Sequence, residues 1–283
     1  MAIDAVREAP PPELRFRFGF RFGTWIKDLW RSRELIRTLT ERELRARYKQ
    51  ASLGFAWAII TPVLLMLVFS LFFKRVARVD PPGNSSYELF TYLGLLPWTF
   101  FSGSLTSGAF SLVTNKHMLN RIYCPREVFP MSAVAVAAVD TTLAAMALAI
   151  LFAIQGTAPE ITTLWLPVLL AVQVMFTVGL TVTLAGVMVY LRDVRHGLPL
   201  LLQLGLFATP VAYGIEAIPE NLRTAYAAAN PLAGVIEGYR RTMLTGQPPA
   251  WDLLIPGAIT SLVLLVGGYI LFKRMEVGFA DIA

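Results

Sequence analysis

The sequence has few of the side chains that bind metals, with one cysteine and two histidines among 283 residues. The single Cys124 excludes a disulfide within the chain. Zinc sites are built from cysteine, histidine and carboxylate side chains, so a protein-built zinc site is not expected. His117 and His196 fall in different predicted loops, which also argues against a Ser-His-Asp triad.

Other motifs that carry chemistry are missing as well. There is no G-x-x-x-x-G-K phosphate loop, so we expect this chain to bind no ATP and no cofactor of its own. A paired-carboxylate arrangement is also lacking, which argues against an enzyme. Residues 1–24 contain no apolar run, so we expect no signal peptide.

Long apolar runs are what the sequence has in abundance. With 55% hydrophobic residues and a mean hydropathy of +0.58, the chain is too apolar for a soluble core and is typical of a polytopic membrane protein. We predict an all-α permease domain over residues 25–283, preceded by a partly disordered tail at 1–24. Its six predicted spans cover about 53–73, 89–113, 128–154, 164–190, 198–213 and 253–272.

The positive charges predict the orientation of these spans. Of the 25 Lys and Arg residues, twelve precede residue 54, three and two lie in the loops 114–127 and 191–197, and two follow the last span. These nineteen lie on one predicted side, against six on the other. The positive-inside rule therefore places both termini in the cytoplasm. The net charge of +6 is then a topology signal, and we expect no nucleic-acid partner.

The segment before the first span is amphipathic. Residues 15–22 alternate cations and aromatics, which fits either a sticky tail or a strip lying on anionic lipid or a partner. Trp25–Arg37 predicts a helix lying at the membrane interface. Thr40 and Glu43 have the spacing of a capping box, so we expect a new helix to begin there and to continue into the first span. The alternative is one long solvated helix. The apolar residues of the interface helix are Trp25, Leu29, Trp30 and Ile36.

Asp140 lies about thirteen residues into its predicted span, where a carboxylate is costly and should face the bundle interior. Two roles are open, a structural hydrogen-bonded acid and a proton-coupling group. Gln173 and Gln203 are its candidate partners.

Two further stretches have sequence patterns that predict short helices. The loop TNKHMLNRIYCPREVFP, residues 114–130, predicts a short helix that either docks in a partner's groove or is a solvated turn. After the fifth span, Pro219 predicts the start of one helix, Asn230-Pro231 its end, and a second helix should run from Leu232 to Leu244. This pattern favours a re-entrant hairpin in the outer leaflet over an ordinary extracellular loop.

Together these stretches resemble the membrane permease of type-2 ABC exporters for polysaccharides, the family that exports O-antigen and teichoic-acid chains. The resemblance covers nearly the whole chain after residue 25. It is carried by RYKQASLGFAWAIITP at the first span, NRIYCPREVFP between spans two and three, YLRDVRHGLPLLLQLGLFATPVAYG at spans four and five, and NPLAGVIEGYR in the outer loop.

The resemblance implies a homodimer in the bacterial inner membrane that recruits two ATP-binding subunits, which would bind ATP and Mg²⁺. The substrate it implies is a lipid-linked glycan, moved outward through a lipid-embedded dimer. The loop after span two would hold the coupling helix that contacts the ATP-binding subunit, through Asn115, Lys116, Asn120, Arg121, Tyr123 and Arg126. The first and fifth spans would line the pathway, with Trp57, Phe69, Phe207 and Tyr213 as candidate lining residues.

Three alternatives are open from the sequence. A type-2 permease for a drug or a small lipid would share the architecture but have a narrower pathway. A proton-coupled carrier built on Asp140 would work without an ATPase. A membrane glycosyltransferase would need exposed acidic residues at the membrane surface, and the sequence shows no such cluster.

Overall fold

The computed structural model describes residues 29–49, 51–76, 86–119, 124–156, 160–191 and 193–279. Within these ranges all regular secondary structure is helical, which confirms the predicted all-α class. The α-helices are α1 (Arg33–Tyr48), α2 (Ala56–Phe69), α3 (Tyr87–Thr114), α4 (Lys116–Leu119), α5 (Val128–Gln155), α6 (Leu166–Tyr190), α7 (Val194–Ala208), α8 (Glu220–Ala229), α9 (Pro231–Leu244) and α10 (Trp251–Glu276). A π-helical turn, Ser70–Val76, continues α2, and a 3₁₀ turn, Ile161–Trp165, leads into α6.

Helices occupy all six positions at which the sequence predicts membrane spans. Four helical segments are long and apolar enough to cross a bilayer: Ala56–Phe73, Val128–Gln155, Ile161–Tyr190 and Trp251–Glu276. The other two differ from these in opposite ways. Helix α3 has 28 residues but carries many Ser, Thr, Gly and Tyr side chains, whereas α7 is apolar but has only 15 residues.

Helix α3 is the centre of the bundle. Eighteen of its 28 residues are buried, and it packs against α2, α5, α6, α7 and α9. Its polar residues are therefore turned toward other helices, which explains how so long a helix tolerates a moderate hydropathy. The fully buried side chains in its first half include Tyr87, Leu89, Tyr92, Leu93 and Leu95.

Small residues allow the closest helix contacts. A Cβ added at Gly179 of α6 would lie 2.6 Å from the backbone nitrogen of Leu265 in α10. A Cβ at Gly108 of α3 would lie 2.2 Å from Cγ2 of Thr181 in α6. These two glycines let neighbouring backbones approach to distances that no larger residue permits.

The predicted helix start at Thr40 is wrong. Thr40 lies inside α1, where its hydroxyl donates a 2.8 Å hydrogen bond to the carbonyl of Ile36, one turn earlier. The break comes after Tyr48 instead, and in the described residues 51–55 Gly54 takes a φ of +51°. A left-handed φ costs glycine little, so this residue suits the turn that joins the amphipathic helix to the first span.

The predicted break at Asn230-Pro231 is confirmed. Helix α8 follows Pro219 and ends at Ala229, and α9 begins at Pro231 and ends at Leu244. The Asn230 side chain donates a 2.9 Å hydrogen bond to the Thr209 hydroxyl, which ties the break to the end of α7. Helix α9 is more deeply buried than an outer loop would be, because it packs between α3, α6 and α10.

Candidate functional site

Asp140 is held by the basic junction that precedes the first span. Its Oδ2 accepts a 2.6 Å hydrogen bond and ion pair from Nη1 of Arg47, and its Oδ1 accepts a 2.7 Å bond from the Tyr48 hydroxyl. Burial, together with the bond to Asp140, raises the pKa of Tyr48 to about 12, so this hydroxyl is a permanent donor at neutral pH. The acid is thus a paired, hydrogen-bonded group.

The partners predicted for Asp140 are wrong. Gln173 is buried elsewhere, where it donates to the carbonyl of Pro97 and accepts a 2.8 Å bond from the Tyr239 hydroxyl. Gln203 is exposed on α7. Sequence reasoning counted Arg47 only as a topology charge, although an arginine at the end of a basic helix can reach an acid in a neighbouring helix.

Helices α1 and α5 run side by side in the same direction. The Thr40 hydroxyl lies 3.4 Å from the carbonyl of Ser132, and eight residues later Tyr48 bonds Asp140, so both contacts join positions 92 apart. Ile36 and Leu39, which precede Thr40 on α1, pack in a cluster with Val128 and Phe129. Two turns of the amphipathic helix are therefore fixed along the first part of α5.

A cavity of about 380 Å³ opens beside this ion pair, between α2, α3 and α5. Trp57 stands at its rim with 45% of its surface exposed. The wall combines charged, hydroxyl and small side chains: Arg47, Tyr48, Ala51, Ala58, Thr61, Pro62, Thr99, Gly103, Ala137, Asp140, Thr141 and Ala144.

The described part of the predicted coupling loop is attached to α1. Arg42 donates a 2.6 Å bond from Nη2 to Oδ1 of Asn115, and its Nη1 lies 2.7 Å from the Met118 sulfur. Asn115 also donates to the carbonyl of Ser111, which ends α3. Lys116 is exposed at the start of α4. Asn120, Arg121 and Tyr123 lie outside the described residues.

Arg126, the last of the predicted coupling residues, binds the end of α10. Its Nη1 donates a 2.5 Å bond to the carbonyl of Glu276, and its guanidinium lies 5.5 Å from the centre of the Phe279 ring. Lys273 joins the same end by bonding Glu127 at 2.9 Å and Glu276 at 2.8 Å. Burial raises the pKa of the Glu127 carboxyl, against the opposing effect of the Lys273 ammonium. This cluster was not predicted from the sequence. The feature that could have indicated it is the position of Glu127, Lys273 and Glu276 at the ends of apolar spans.

The predicted interface-helix residues have different surroundings. Leu29 and Ile36 are half-buried, and Ile36 packs on the cluster around Leu39. Trp30 is 69% exposed, with the Arg33 guanidinium 5.2 Å from the centre of its ring. Trp25 lies outside the described residues. An exposed tryptophan on this face is available to lipid or to a partner.

The four predicted pathway aromatics form two separate groups. The Phe69 and Phe207 rings lie 6.4 Å apart, and the Tyr213 hydroxyl donates 3.1 and 2.9 Å bonds to the carbonyls of Phe207 and Ala208. These three residues meet at the end of α7. Trp57 is twelve residues before Phe69 on α2, about 18 Å away along the helix axis, at the cavity described above.

Arg240 is a structural residue that the sequence analysis missed. It is 3% exposed, and its guanidinium donates to the carbonyls of Phe90, Pro210, Val211 and Tyr213 at 2.6 to 3.1 Å. The same group stacks over the Phe90 ring at 3.6 Å. The sequence feature that could have predicted its burial is an arginine inside the half-apolar stretch NPLAGVIEGYR.

Within the part of the chain that the structure describes, no group of three or more His, Cys, Asp or Glu side chains is arranged to hold a metal ion. The sites above are therefore built from ion pairs, hydroxyls and aromatic rings.

Comparison with known proteins gives one consistent result. The family model described as "ABC-2 type transporter" matches residues 34–244. The chain is 33% identical over 257 residues to the O-antigen export system permease protein RfbA of Myxococcus xanthus, covering 90% of this chain and 98% of that protein. It is 28% identical to RfbA of Klebsiella pneumoniae over 250 residues, or 88% and 95% of the two chains. The polysialic acid transport protein KpsM of Escherichia coli is 26% identical over 246 residues, or 85% and 93%.

Proposed function

This chain belongs to the ABC-2 type transporter membrane family, and from that premise we propose that it is the permease subunit of an ATP-driven exporter of lipid-linked polysaccharide. The observation that carries the proposal is similarity over 98% of the length of an O-antigen export permease. The substrate class named for the relatives, O-antigen and polysialic acid, favours a long glycan over a drug or a small lipid.

We propose a topology of six spans with both termini in the cytoplasm of a bacterial inner membrane. Helix α3 counts as a span because its polar residues are turned into the bundle. Helix α7 and the turn at residues 209–213 together form the fifth span. The α8–α9 hairpin then enters the outer leaflet, and the four backbone carbonyls bonded by Arg240 support this, since irregular backbone at membrane depth must be satisfied within the protein.

We propose that two copies form the pathway. Helix α7 buries only Leu198 of its fifteen residues, and the exposed side of α2 is likewise apolar. Such faces need either lipid or a second copy to cover them. The proposed dimer face comprises Leu67, Val68, Leu71 and Phe72 with Leu200, Leu201, Leu204 and Phe207.

We propose that two ATP-binding subunits dock on the cytoplasmic side, at the loop after α3. The chain has no phosphate loop, so the energy must come from another polypeptide. The link from Arg42 to Asn115 and Met118 would carry a displacement of this loop into α1, and the Arg47 and Tyr48 bonds to Asp140 would carry it on to α5. Export would follow from a rigid-body movement of this unit.

The test is co-expression with the neighbouring nucleotide-binding protein in lipid. We expect the ATPase to copurify with the wild type, and Arg121→Glu or Tyr123→Ala to release it, because both residues lie in the proposed docking loop. Arg223→Glu, on the outer helix α8, is the matched charge reversal and should retain the partner. In cells, deletion of the gene should remove the glycan from the surface.

A proton-coupled carrier is the second candidate, and the buried acid was the reason to consider it. Both oxygens of Asp140 are engaged by Arg47 and Tyr48, which favours a structural role. If no partner binds and export follows the proton gradient, with abolition by an uncoupler at constant ATP, the carrier replaces the ABC exporter.

A further inference from the structure

The end of α10 that the proposed topology places in the cytoplasm binds the last residues of the loop after α3. The Lys273 ammonium pairs with Glu127 at 2.9 Å and with Glu276 at 2.8 Å. The Arg126 guanidinium donates to the main-chain carbonyl of Glu276. Arg126 and Glu127 directly precede α5, whereas Lys273 and Glu276 form the last turn of α10. These bonds therefore join two segments that are distant in the sequence, with partners 146 and 150 positions apart.

Phe279 completes this contact on its apolar side. The chain continues past α10 and buries the Phe279 ring, which is 3% exposed, against Phe272 and Tyr190. The Tyr190 hydroxyl, at the end of α6, donates a 2.6 Å bond to the carbonyl of Met275. The start of α5 and the ends of α6 and α10 thus meet in one place. We call the residues that hold them the α10 end cluster: Arg126, Glu127, Lys273, Glu276 and Phe279.

The α10 end cluster differs from the usual basic end of a helix. A cation in the last turn favours the helix dipole while it stays in water, and the exposed Arg274 is such a cation. In the cluster, by contrast, two carboxylates that are 2% and 9% exposed, Glu127 and Glu276, share one ammonium. Buried ion pairs commonly stabilise a protein no more than apolar side chains of the same volume. Their bonds are directional, however, so they fix the end of the loop at one position on α10.

Helix α10 is continuous from this cluster to the other side of the bundle. Leu253 and Lys273 are twenty residues apart on it, or about 30 Å along the axis, which is the thickness of the hydrocarbon core. Helix α6 lies directly against it, since a Cβ added at Gly268 would lie 2.7 Å from the carbonyl oxygen of Gly179. With backbones this close, the two helices move together.

The outer end of α10 contacts both helices of the α8–α9 hairpin. Leu253 is 3% exposed and packs in a cluster with Ala227 of α8 and Ala233 of α9. A Cβ added at Gly234 would lie 2.8 Å from the Leu253 carbonyl oxygen, so the backbones of α9 and α10 touch. Helix α9 also carries Arg240, which binds the segment after α7. A displacement of α10 would therefore reach the hairpin and the end of α7 without passing through α2.

We propose that α10 carries movements of the loop after α3 to the α8–α9 hairpin, with the α10 end cluster as the contact that joins the loop to the helix. The proposal rests on the proposed function for the ATPase that moves the loop. Arg42 holds the beginning of this loop on α1, whereas Arg126 and Glu127 hold its end on α10. Lys273 is then a positioning residue that acts through Glu127.

Hydrogen exchange of the full-length permease with its ATPase subunit, in lipid nanodiscs, tests this connection. Amide exchange in residues 213–244 is compared between the nucleotide-free state and the state trapped with ATP and orthovanadate. In the wild type, trapping should change the exchange rate of this range by about threefold or more. Lys273→Met should lose that difference and export severalfold less glycan per ATP, while it keeps the partner and an ATPase rate within about twofold of the wild type.

Three further variants separate positioning from stability. Lys273→Arg should restore most of the difference, because a guanidinium can also bridge two carboxylates. Arg274→Met removes an exposed cation from the same turn and should behave like the wild type. Should Lys273→Met fail to fold because Glu127 is left without a cation, Glu127→Gln combined with Lys273→Met removes both charges and should show the same loss.

The connection is overturned if trapping leaves exchange in the wild-type hairpin unchanged. It is also overturned if Lys273→Met keeps the wild-type difference, even where exchange is faster throughout the chain, since the cluster then acts on stability alone. Either result leaves the exporter standing as long as the ATPase copurifies. If no ATPase copurifies with the wild type, the proposed function fails, and the connection fails with it because there is no movement to transmit.

Discussion

At the scale of single residues, Arg240 brings a positive charge into the interior of the bundle and donates its hydrogen bonds to backbone oxygens. Its three guanidinium nitrogens reach four carbonyls, three of them in the irregular segment 210–213. Gly94 makes room for this, since a Cβ there would lie 2.8 Å from Nη2 of Arg240. The arginine therefore replaces the hydrogen bonds that the end of α7 cannot make within a helix.

We expect Arg240→Lys and Arg240→Met to destabilise the protein by about 3 kcal/mol or more, because carbonyls that are buried without a partner cost about 1 to 3 kcal/mol each. Lysine carries its donors on one nitrogen and cannot span the four oxygens. Thermal unfolding in detergent measures the effect. Arg241→Lys is the matched control, since Arg241 is only half-buried and its Nε donates to Pro248 alone. Equal melting temperatures for Arg240→Lys and Arg241→Lys would contradict this role.

Single residues also show which contacts cannot be predicted from the sequence. An acid deep in an apolar span predicts polar contacts, and Asp140 has two although it is only half-buried, because hydrocarbon leaves a carboxylate no alternative. Its partners could not be predicted, since Arg47 and Gln173 are equally able to bond an acid and only the packing of α1 on α5 brings Arg47 within reach. The buried Arg240 was missed because it counts as a loop charge in a topology analysis.

At the scale of elements, α1 joins the loop after α3 to α5. It holds the loop after α3 through Arg42, packs along α5 through Leu39, and ends on Asp140 through Arg47 and Tyr48. A helix held at its middle and at its last turn moves together with the elements that hold it. The turn at residues 51–55 then leads into α2.

We expect Arg42→Ala to reduce the amount of glycan exported per ATP hydrolysed severalfold, because coupling between sites is commonly modulated by 0.5 to 2 kcal/mol. The ATPase rate itself should stay within about twofold, and stability should fall by less than about 1 kcal/mol, since the Arg42 side chain is exposed. Export and phosphate release are measured together in proteoliposomes that contain both subunits.

Arg45→Ala is the control for this prediction. Arg45 lies on the same helix with 78% of its side chain exposed, and its partner Glu41 belongs to α1 as well. The variant should export with wild-type efficiency. A parallel fall of export and ATPase rate in Arg42→Ala would show that Arg42 acts on partner binding or stability instead of coupling.

Some helix boundaries could be predicted from the sequence and others could not, for physical reasons. Pro219, Asn230 and Pro231 delimit α8 and α9 correctly because proline chemistry is local. The capping-box spacing at Thr40 gave a wrong helix start because the same residues also fit a helix interior. Leu39 and Phe129 belong to one buried cluster, which favours an unbroken helix. The burial of α9 depends on long-range packing that no local pattern contains.

At the scale of the whole molecule, the exposed apolar surface is unevenly distributed. Helices α2 and α7 present adjacent apolar faces that meet at Phe69 and Phe207, and α7 is scarcely buried in one copy of the chain. A transmembrane helix with so few contacts is stable only when lipid or another protein surface covers it. The proposed dimer covers it with a second copy.

We expect Leu204→Cys, in a Cys124→Ser background, to cross-link into a dimer under mild oxidation or with a short bis-maleimide. Leu204 is 58% exposed on α7, and Cα atoms near a two-fold axis approach within the roughly 7 Å that a disulfide requires. Non-reducing electrophoresis of native membranes measures the product. Ile259→Cys, 59% exposed on α10, should remain monomeric, and the same yield from both positions would refute this dimer face.

The bonds of Arg240 also bear on how such an exporter can evolve. They end on main-chain oxygens, which every amino acid supplies, so the half-buried side chain at position 213 can be exchanged without loss of the anchor, whereas Val211 is also fixed by its own burial. The end of α7 thus has a fixed frame and one replaceable side chain. Descendants of one ancestral chain can differ at this position while they inherit the same fold.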